Sequence, residues 1–412
     1  MSLIKTPVKG MPEKLPNDMA LREYVIRKIK DTYKKFGFML IETPIVEHIE
    51  NLTSKQGGEN EKLIFKILKR GEKLENSLNS DDLCDCGLRY DLTLPLSRFY
   101  ANNKDNLPVP FKSLQIGESF RADRPQKGRF RQFTQCDIDV IGDETNLAEI
   151  ELISATSNML EELNIKDLKV RVNDRAILRA LAKHCNFAEE QWDTIFIILD
   201  KLDKIGIDGV KSQLLDLGLN ETAVTNYCKM FENIGEEDCK TYLEKNNVDI
   251  DEAVVKNLGD IIASAQKLVG DGCKIVFDPT LVRGMSYYTG TIFEIELKNY
   301  NLSVAGGGRY DEMVGKFCGQ KVCACGFSIG LERILSVIAE NNLISVSTNN
   351  ATAYLIAKDV NIQKVQQIFA EANKMRRAGQ TVLVSPRKNN AKFQKEMLQK
   401  LGYTAIIDVY NN

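Results

Sequence analysis

The sequence predicts an α+β protein: an antiparallel sheet flanked by helices, with a helical insertion and a small C-terminal α/β domain. Three observations carry this. Two apolar runs, Phe111–Ala122 and Phe130–Ile141, flank a polar segment and read as an antiparallel pair joined by a long, mobile, positively charged loop. From Asn146 to Leu268 the apolar residues recur mostly at helical spacing. Beyond a polar stretch at 340–350, strand and helix patterns alternate toward the C-terminus. The 412 residues also exceed what one hydrophobic core serves, so more than one domain is expected.

In chain order, Asn17–Phe36 reads as a helix, with Leu21, Val25, Ile29 and Tyr33 on one face, Asn17 or Asp18 as cap and Gly37 closing it. Phe38–Val46 reads as a strand that Pro44 confines to a sheet edge or an interface. Glu72–Gly87 is polar and reads as a surface loop; a strand at Leu88–Thr93 and a short helix at Pro95–Ala101 follow. A strand near Leu168–Val172 interrupts the helical region, and 186–258, which holds no chemical motif, reads as an inserted helical module. Strands return at Lys274–Phe277, Tyr287–Leu297 and near Ser303, and Gly326–Ala339 passes from strand to helix. The expected domains are 1–340, a linker at 341–350, and 351–412.

A formal net charge of −2 excludes a global basic field. The first residues lack a signal-peptide core and no apolar run approaches ~18 residues, so a cytoplasmic protein without a membrane span is expected. Ten cysteines in so long a chain read as free thiols of a reducing compartment. The pairs Cys84/Cys86 and Cys323/Cys325 are spaced more tightly than zinc ligands usually are, so no metal held by cysteines is expected. With only His48 and His184, other groups must carry acid–base work.

The most informative segment is Phe120–Phe133, where Arg121, Arg124, Lys127, Arg129 and Arg131 fall within eleven residues. Guanidinium forks suit phosphate oxygens, and Phe133 offers a face for stacking a base; a solvated charged loop is the alternative. Four companions weigh against that alternative. Arg283 stands in Leu281–Gly290 between apolar residues and paired tyrosines, where a buried charge needs a partner or an anion. Ala305–Asp311 contains three glycines that permit close backbone approach. Gly326–Arg333 leads glycines into a helix carrying an arginine, and Leu88–Thr93 spaces Asp91 and Thr93 along one strand face.

Together these segments resemble the core of the class II aminoacyl-tRNA synthetases. Gly37–Val46 is similar to that core's dimer-interface motif, Phe120–Gln135 to its ATP-loop motif and Gly326–Arg333 to its third motif. Leu281–Tyr288 and Ala305–Asp311 resemble the two histidine-specific motifs of histidyl-tRNA synthetases. The resemblance implies a class II synthetase-type sheet and a histidine--tRNA ligase that uses ATP and Mg2+, takes histidine and tRNA(His), and forms a homodimer. It implies Arg283 and Arg121 as catalytic cations, with Arg121, Arg129, Phe133 and Arg333 holding ATP. Asp91, Thr93 and Gln135 would hold the histidine α-amino group. Asp139, Tyr288 and Tyr310 would line its imidazole pocket, and a carboxylate there favours an N–H-donating ring.

The C-terminal domain resembles the family's anticodon-binding module. Between Lys374 and Lys400 eight basic residues face one acidic residue, and Arg387 and Lys388 are the candidate tRNA contacts; a solvated helix face is the alternative. Two features depart from the pattern. Ser286 stands where the family usually has an aspartate, which leaves Arg283 without an orienting carboxylate, and the C-terminal module is shorter than in relatives. The rival expectation is the synthetase-like regulatory subunit of ATP phosphoribosyltransferase, which binds histidine without charging tRNA. It usually lacks the C-terminal domain and has a degraded ATP loop, and both are intact here.

Overall fold

The structure is a computed structural model that describes residues 3–54, 62–77, 83–126, 128–232, 234–283, 287–297, 302–345 and 351–411. It divides into two compact units, Met1–Glu13 with Val25–Leu343, and Lys14–Tyr24 with Ile344–Asn412. The strands in chain order are β1 (Met39–Leu40), β2 (Val46–His48), β3 (Lys66–Leu68), β4 (Cys84–Leu88), β5 (Phe111–Phe120), β6 (Gln132–Ile141) and β7 (Leu168–Asp174). Next come β8 (Cys273–Phe277), β9 (Thr291–Leu297), β10 (Leu302–Arg309), β11 (Ala324–Gly330), β12 (Ala351–Ile356), β13 (Thr381–Pro386) and β14 (Tyr403–Val409).

The first unit is built on an eight-stranded sheet of order β1-β5-β6-β11-β10-β9-β7-β8. Its centre is antiparallel, as expected, but β1 joins β5 and β8 joins β7 in parallel, so the whole sheet is mixed. Pro44 falls after β1, which lies at the sheet edge. Helices Pro16–Lys35 and Leu147–Glu162 match the expected periodicity; Val25, Ile29 and Tyr33 are buried. The described residues of 189–266 form a run of helices joined by turns and short irregular segments.

Two expectations are corrected. Part of the expected loop Glu72–Gly87 is ordered, as a helical turn at Glu72–Glu75 and as β4, the middle strand of a small antiparallel sheet with β2 and β3. The strand expected at Leu88–Thr93 ends at Leu88 instead. Asp91 Oδ1 accepts from the Leu94 N–H (3.2 Å) and turns the chain into the helix Thr93–Asn103. Pro95 fits that helix because amides of the first turn need no helical partner.

Registers across the large sheet set the site. One row runs Arg171, Glu294, Gly306, Ser328, Asp137 and Gln115 through β7, β9, β10, β11, β6 and β5. Alternation puts Gln135, Asp137 and Asp139 on one face of β6, while Cys136, Ile138 and Val140 turn into the core. On that core face the buried rings of Phe293 and Phe327 meet edge to face at 4.6 Å, across Gly307, their shared partner on β10. In the second unit β12 pairs in parallel with β13 and β14. Tyr354 packs on Ile368 and Ala372 of helix Ile362–Arg377, while Ala353 and Leu355 pack on Leu398 of helix Ala391–Lys400.

Phe293→Ala should lower stability by about 3–5 kcal/mol through the cavity it leaves, measured from the urea midpoint. A loss below ~1 kcal/mol would show that the ring pair is not central to the sheet's packing.

Candidate active site

A cavity of about 770 Å³ opens over the face carrying the polar row. Its acidic end is built by Asp91, Asp137 and Asp139, all buried, each with one carboxylate oxygen lacking a hydrogen-bond partner. Tyr310 donates to Asp139 Oδ1 (2.7 Å), and Gln135 Nε2 donates to Ser328 Oγ (2.9 Å), leaving Gln135 Oε1 as a further unpaired acceptor. Burial raises the pKa of all three aspartates. Asp137 is pushed well up, by burial first and Asp139 next. Asp139 is pushed up to about 7, by burial, with Tyr310 pulling it down and Asp91 raising it. Tyr287 packs on Tyr288 (4.8 Å) and Tyr310 (6.1 Å) beside them. Such unpaired buried acceptors select a ligand that is cationic and rich in N–H donors.

The other end is cationic. Arg121 donates through Nε to the Tyr90 carbonyl (3.0 Å) and lies over the Phe133 ring at 5.1 Å. Arg129 is 43% exposed, with Asp123 at 3.8 Å. Arg333 donates to the Ser303 carbonyl, and its pKa is lowered by burial and then by the like charges of Arg129 and Arg283. Arg283 has φ +60° and lies flat over β10, where a Cβ on Gly306 would sit 2.3 Å from its guanidinium. Its Nε is buried and unpaired. Arg283 is held by Glu294, whose Oε2 accepts from Nη1 at 2.6 Å. Burial opposes its charge, but Glu294, Tyr288 and Asp200 outweigh burial and raise its pKa.

All the site residues expected in the first unit therefore border one cavity: Asp91, Thr93, Arg121, Arg129, Phe133, Gln135, Asp139, Arg283, Tyr288, Tyr310 and Arg333. Three corrections apply. Asp91 and Thr93 reach it from a helix start rather than a strand face. Ser286 lies outside the described residues, and Arg283 does not lack a carboxylate, because Glu294 on β9 supplies one. In the second unit Arg387 and Lys395 both pair with Asp408, at 3.3 and 2.6 Å, so the window 374–400 overstates the free positive charge. Sequence reasoning also missed Asp137, Glu294 and Asp200; the shared face of Asp137 with Gln135 and Asp139 was the signal for the first.

Known proteins resemble this chain in sequence and in fold. The family model described as histidyl-tRNA synthetase matches residues 10–334. A histidine--tRNA ligase of Leifsonia xyli subsp. xyli is 45% identical over 345 residues, covering 81% of this chain and 80% of that protein. The chain belongs to the histidyl-tRNA synthetase family. It is an aminoacyl-tRNA ligase, and the expected class II fold holds. The crystal structure of histidyl-tRNA synthetase from Nostoc sp. PCC 7120 has TM-score 0.78 at 28% identity, covering 99% of this chain and 92% of that one. A Bacillus halodurans structure described as an ATP phosphoribosyltransferase regulatory subunit/histidyl-tRNA synthetase has TM-score 0.76 at 18% identity, covering 99% of both chains, and attests the fold alone.

Asp139 gives this histidyl-tRNA synthetase family member a pH signature. A carboxyl raised from 3.8 to about 7 favours the neutral form in the folded state, so its contribution to stability is lost as pH rises toward 7 and is constant above. The midpoint difference between Asp139→Asn and the parent should therefore shift in favour of Asn from pH 4 to about 7 and then level off. A pH-independent midpoint difference would remove Asp139 as the titrating group.

Proposed function

We propose that the arginine end of the cavity binds ATP and the aspartate end binds histidine, so that adenylate forms where the two meet. One observation carries this reading: two arginines, Arg283 and Arg333, lie half-buried in the cavity beside the polar row, and Arg333 is destabilised by partial burial and by its cationic neighbours, a cost that a polyanion removes. The α-ammonium of histidine fits Asp91, Thr93 and Gln135, and its imidazole fits Asp139, Tyr288 and Tyr310. Phe133 would stack on adenine once the phosphates draw Arg121 toward them.

In the proposed step a histidine carboxylate oxygen attacks the α-phosphorus. The new acyl–phosphate bond forms as the bond to pyrophosphate breaks, and both electrons of that bond leave with pyrophosphate. Arg121 and Arg283 stabilise charge on the nonbridging oxygens, while Arg129 and Arg333 hold the distal phosphates. A hydroxyl at the tRNA 3′ end then attacks the acyl carbon and releases AMP. Mg2+ fits as a companion of the nucleotide, since it binds phosphate oxygens and keeps several waters; among the described residues no three His, Cys, Asp or Glu side chains form a site of their own. Bound there, it would neutralise charge on the departing pyrophosphate.

The remaining assignments belong to the same reading. Residues 1–340 form the catalytic part with its insertion at 186–258, 341–350 link it onward, and 351–412 meet the tRNA, with Lys388 less encumbered than Arg387. Exposed Met39, Leu40, Ile45 and Val46 on and beside the edge strand support a homodimer interface. No described helix is long and apolar enough to cross a membrane, which accords with a cytoplasmic setting.

Histidine-dependent ATP–pyrophosphate exchange tests the reading. The parent should exchange with Mg2+ present, and Arg283→Ala should retain histidine binding while exchange slows at least ~100-fold. Histidine binding without any exchange would instead favour a regulatory role.

A further inference from the structure

We propose that Glu294 is the positioning residue for Arg283 in adenylate formation, and that through Arg171 it ties Arg283 to the helical insertion. The inference rests on the adenylation reading above.

Glu294 and Arg171 are direct cross-strand partners on β9 and β7, and Gly306, over which Arg283 lies, is the next residue in the same row. The two oxygens of Glu294 divide their work. Oε2 accepts from Arg283 at 2.6 Å, and Oε1 stands 3.6 Å from Arg171 Nη1. Arg171 is fixed in turn by Asp278 (2.7 Å) and by Thr280 Oγ1 (2.8 Å). Its remaining contact, Asp203 at 3.3 Å, comes from the insertion, and Asp200 on the preceding turn also borders the cavity. Asp200 senses Arg283 as its largest nearby charge.

This arrangement fits a positioning device better than a stability element. Arg283 is held in a left-handed backbone conformation, and its own segment offers no described carboxylate. A guanidinium with several rotatable bonds needs a fixed acceptor to keep one orientation. A carboxylate bound on both sides by arginines cannot rotate freely, so Glu294 restricts Arg283 before substrate arrives. Because Asp203 is 70% exposed and belongs to the insertion, the far end of the chain of ion pairs lies on a surface that another molecule can reach.

The test uses the full chain in histidine-dependent ATP–pyrophosphate exchange, with thermal melting as the control for folding. Glu294→Gln keeps the shape and removes the charge. Its kcat should fall at least ~10-fold while the histidine KM stays within about 2-fold, a split that general damage to the site would not give. Asp203→Lys, which sets a like charge against Arg171, should lower kcat several-fold with the same KM. Glu221→Lys, a charge reversal elsewhere on the insertion, should leave both constants unchanged. A Glu294→Gln kcat within 2-fold of the parent, or a parallel rise in KM, would overturn the positioning role. If Glu294→Gln does not fold, Asp203→Lys decides, and a normal kcat there, or an equal loss in Glu221→Lys, overturns the link to the insertion. Absence of exchange in the parent would overturn the adenylation reading itself, which distinguishes the two failures.

Discussion

One sheet face must hold opposite charges close together without letting them neutralise each other, and glycines make this possible. Arg283 lies over Gly306, and Asp139 Oδ1 occupies the place where a Cβ on Gly326 would sit, 2.0 Å away. Between these positions Ser328 and Gly306 separate Asp137 from Glu294 along the row. Any side chain at either glycine would displace a charged group from the backbone it rests on. The cavity therefore keeps unpaired acceptors at one end and crowded cations at the other, costs that cationic and anionic ligand groups would respectively relieve.

That polarity accounts for the division of labour among the arginines. Arg171 and Arg309 are engaged on every side, Arg171 by Asp278, Asp203, Glu294 and the Thr280 hydroxyl, and Arg309 by Glu149, Asp311 and the carbonyls of Asp143 and Thr145. Arg89 spends its donors on the carbonyls of Thr43, Pro44 and Glu118. Arg283 keeps an unpaired Nε, Arg333 has one backbone acceptor, and Arg121 keeps contact with a ring and a carbonyl. How many donors are already engaged separates scaffold arginines from those with donors to offer.

Much of this was legible in the sequence, and the reasons for the failures are local. Long periodic elements declared themselves because burial dictates every third or fourth residue, as in Pro16–Lys35, or every second, as in β6. The failures were short or two-sided: β4, with no clear alternation of buried and exposed residues, read as loop, and Asp91 read as a strand residue because an Asx turn has no periodic signature. The basic hairpin, the arginine segment and the glycine strand were visible, but their convergence depended on register, which no single segment encodes. Glu294 illustrates the limit. In sequence it is one of two glutamates, with Glu296, in an otherwise apolar strand, whereas its meaning comes from Arg171 across the ladder and from Arg283, which packs over Gly306 on the next strand.

The fold cannot by itself distinguish a ligase from a histidine-binding regulator, since a structure described with both names superimposes on nearly the whole chain. What distinguishes them physically is the cationic half of the cavity. On the proposed reading, a protein that only binds histidine would need the aspartates and tyrosines alone, for an ammonium and an imidazole. Arg283 and Arg333, half-buried at a desolvation cost and repelling each other, would serve no purpose in such a protein. Keeping both beside a glycine strand that admits a guanidinium accords with the proposed development of phosphate charge between them, and the chain's 45% identity to a histidine--tRNA ligase places it in that family.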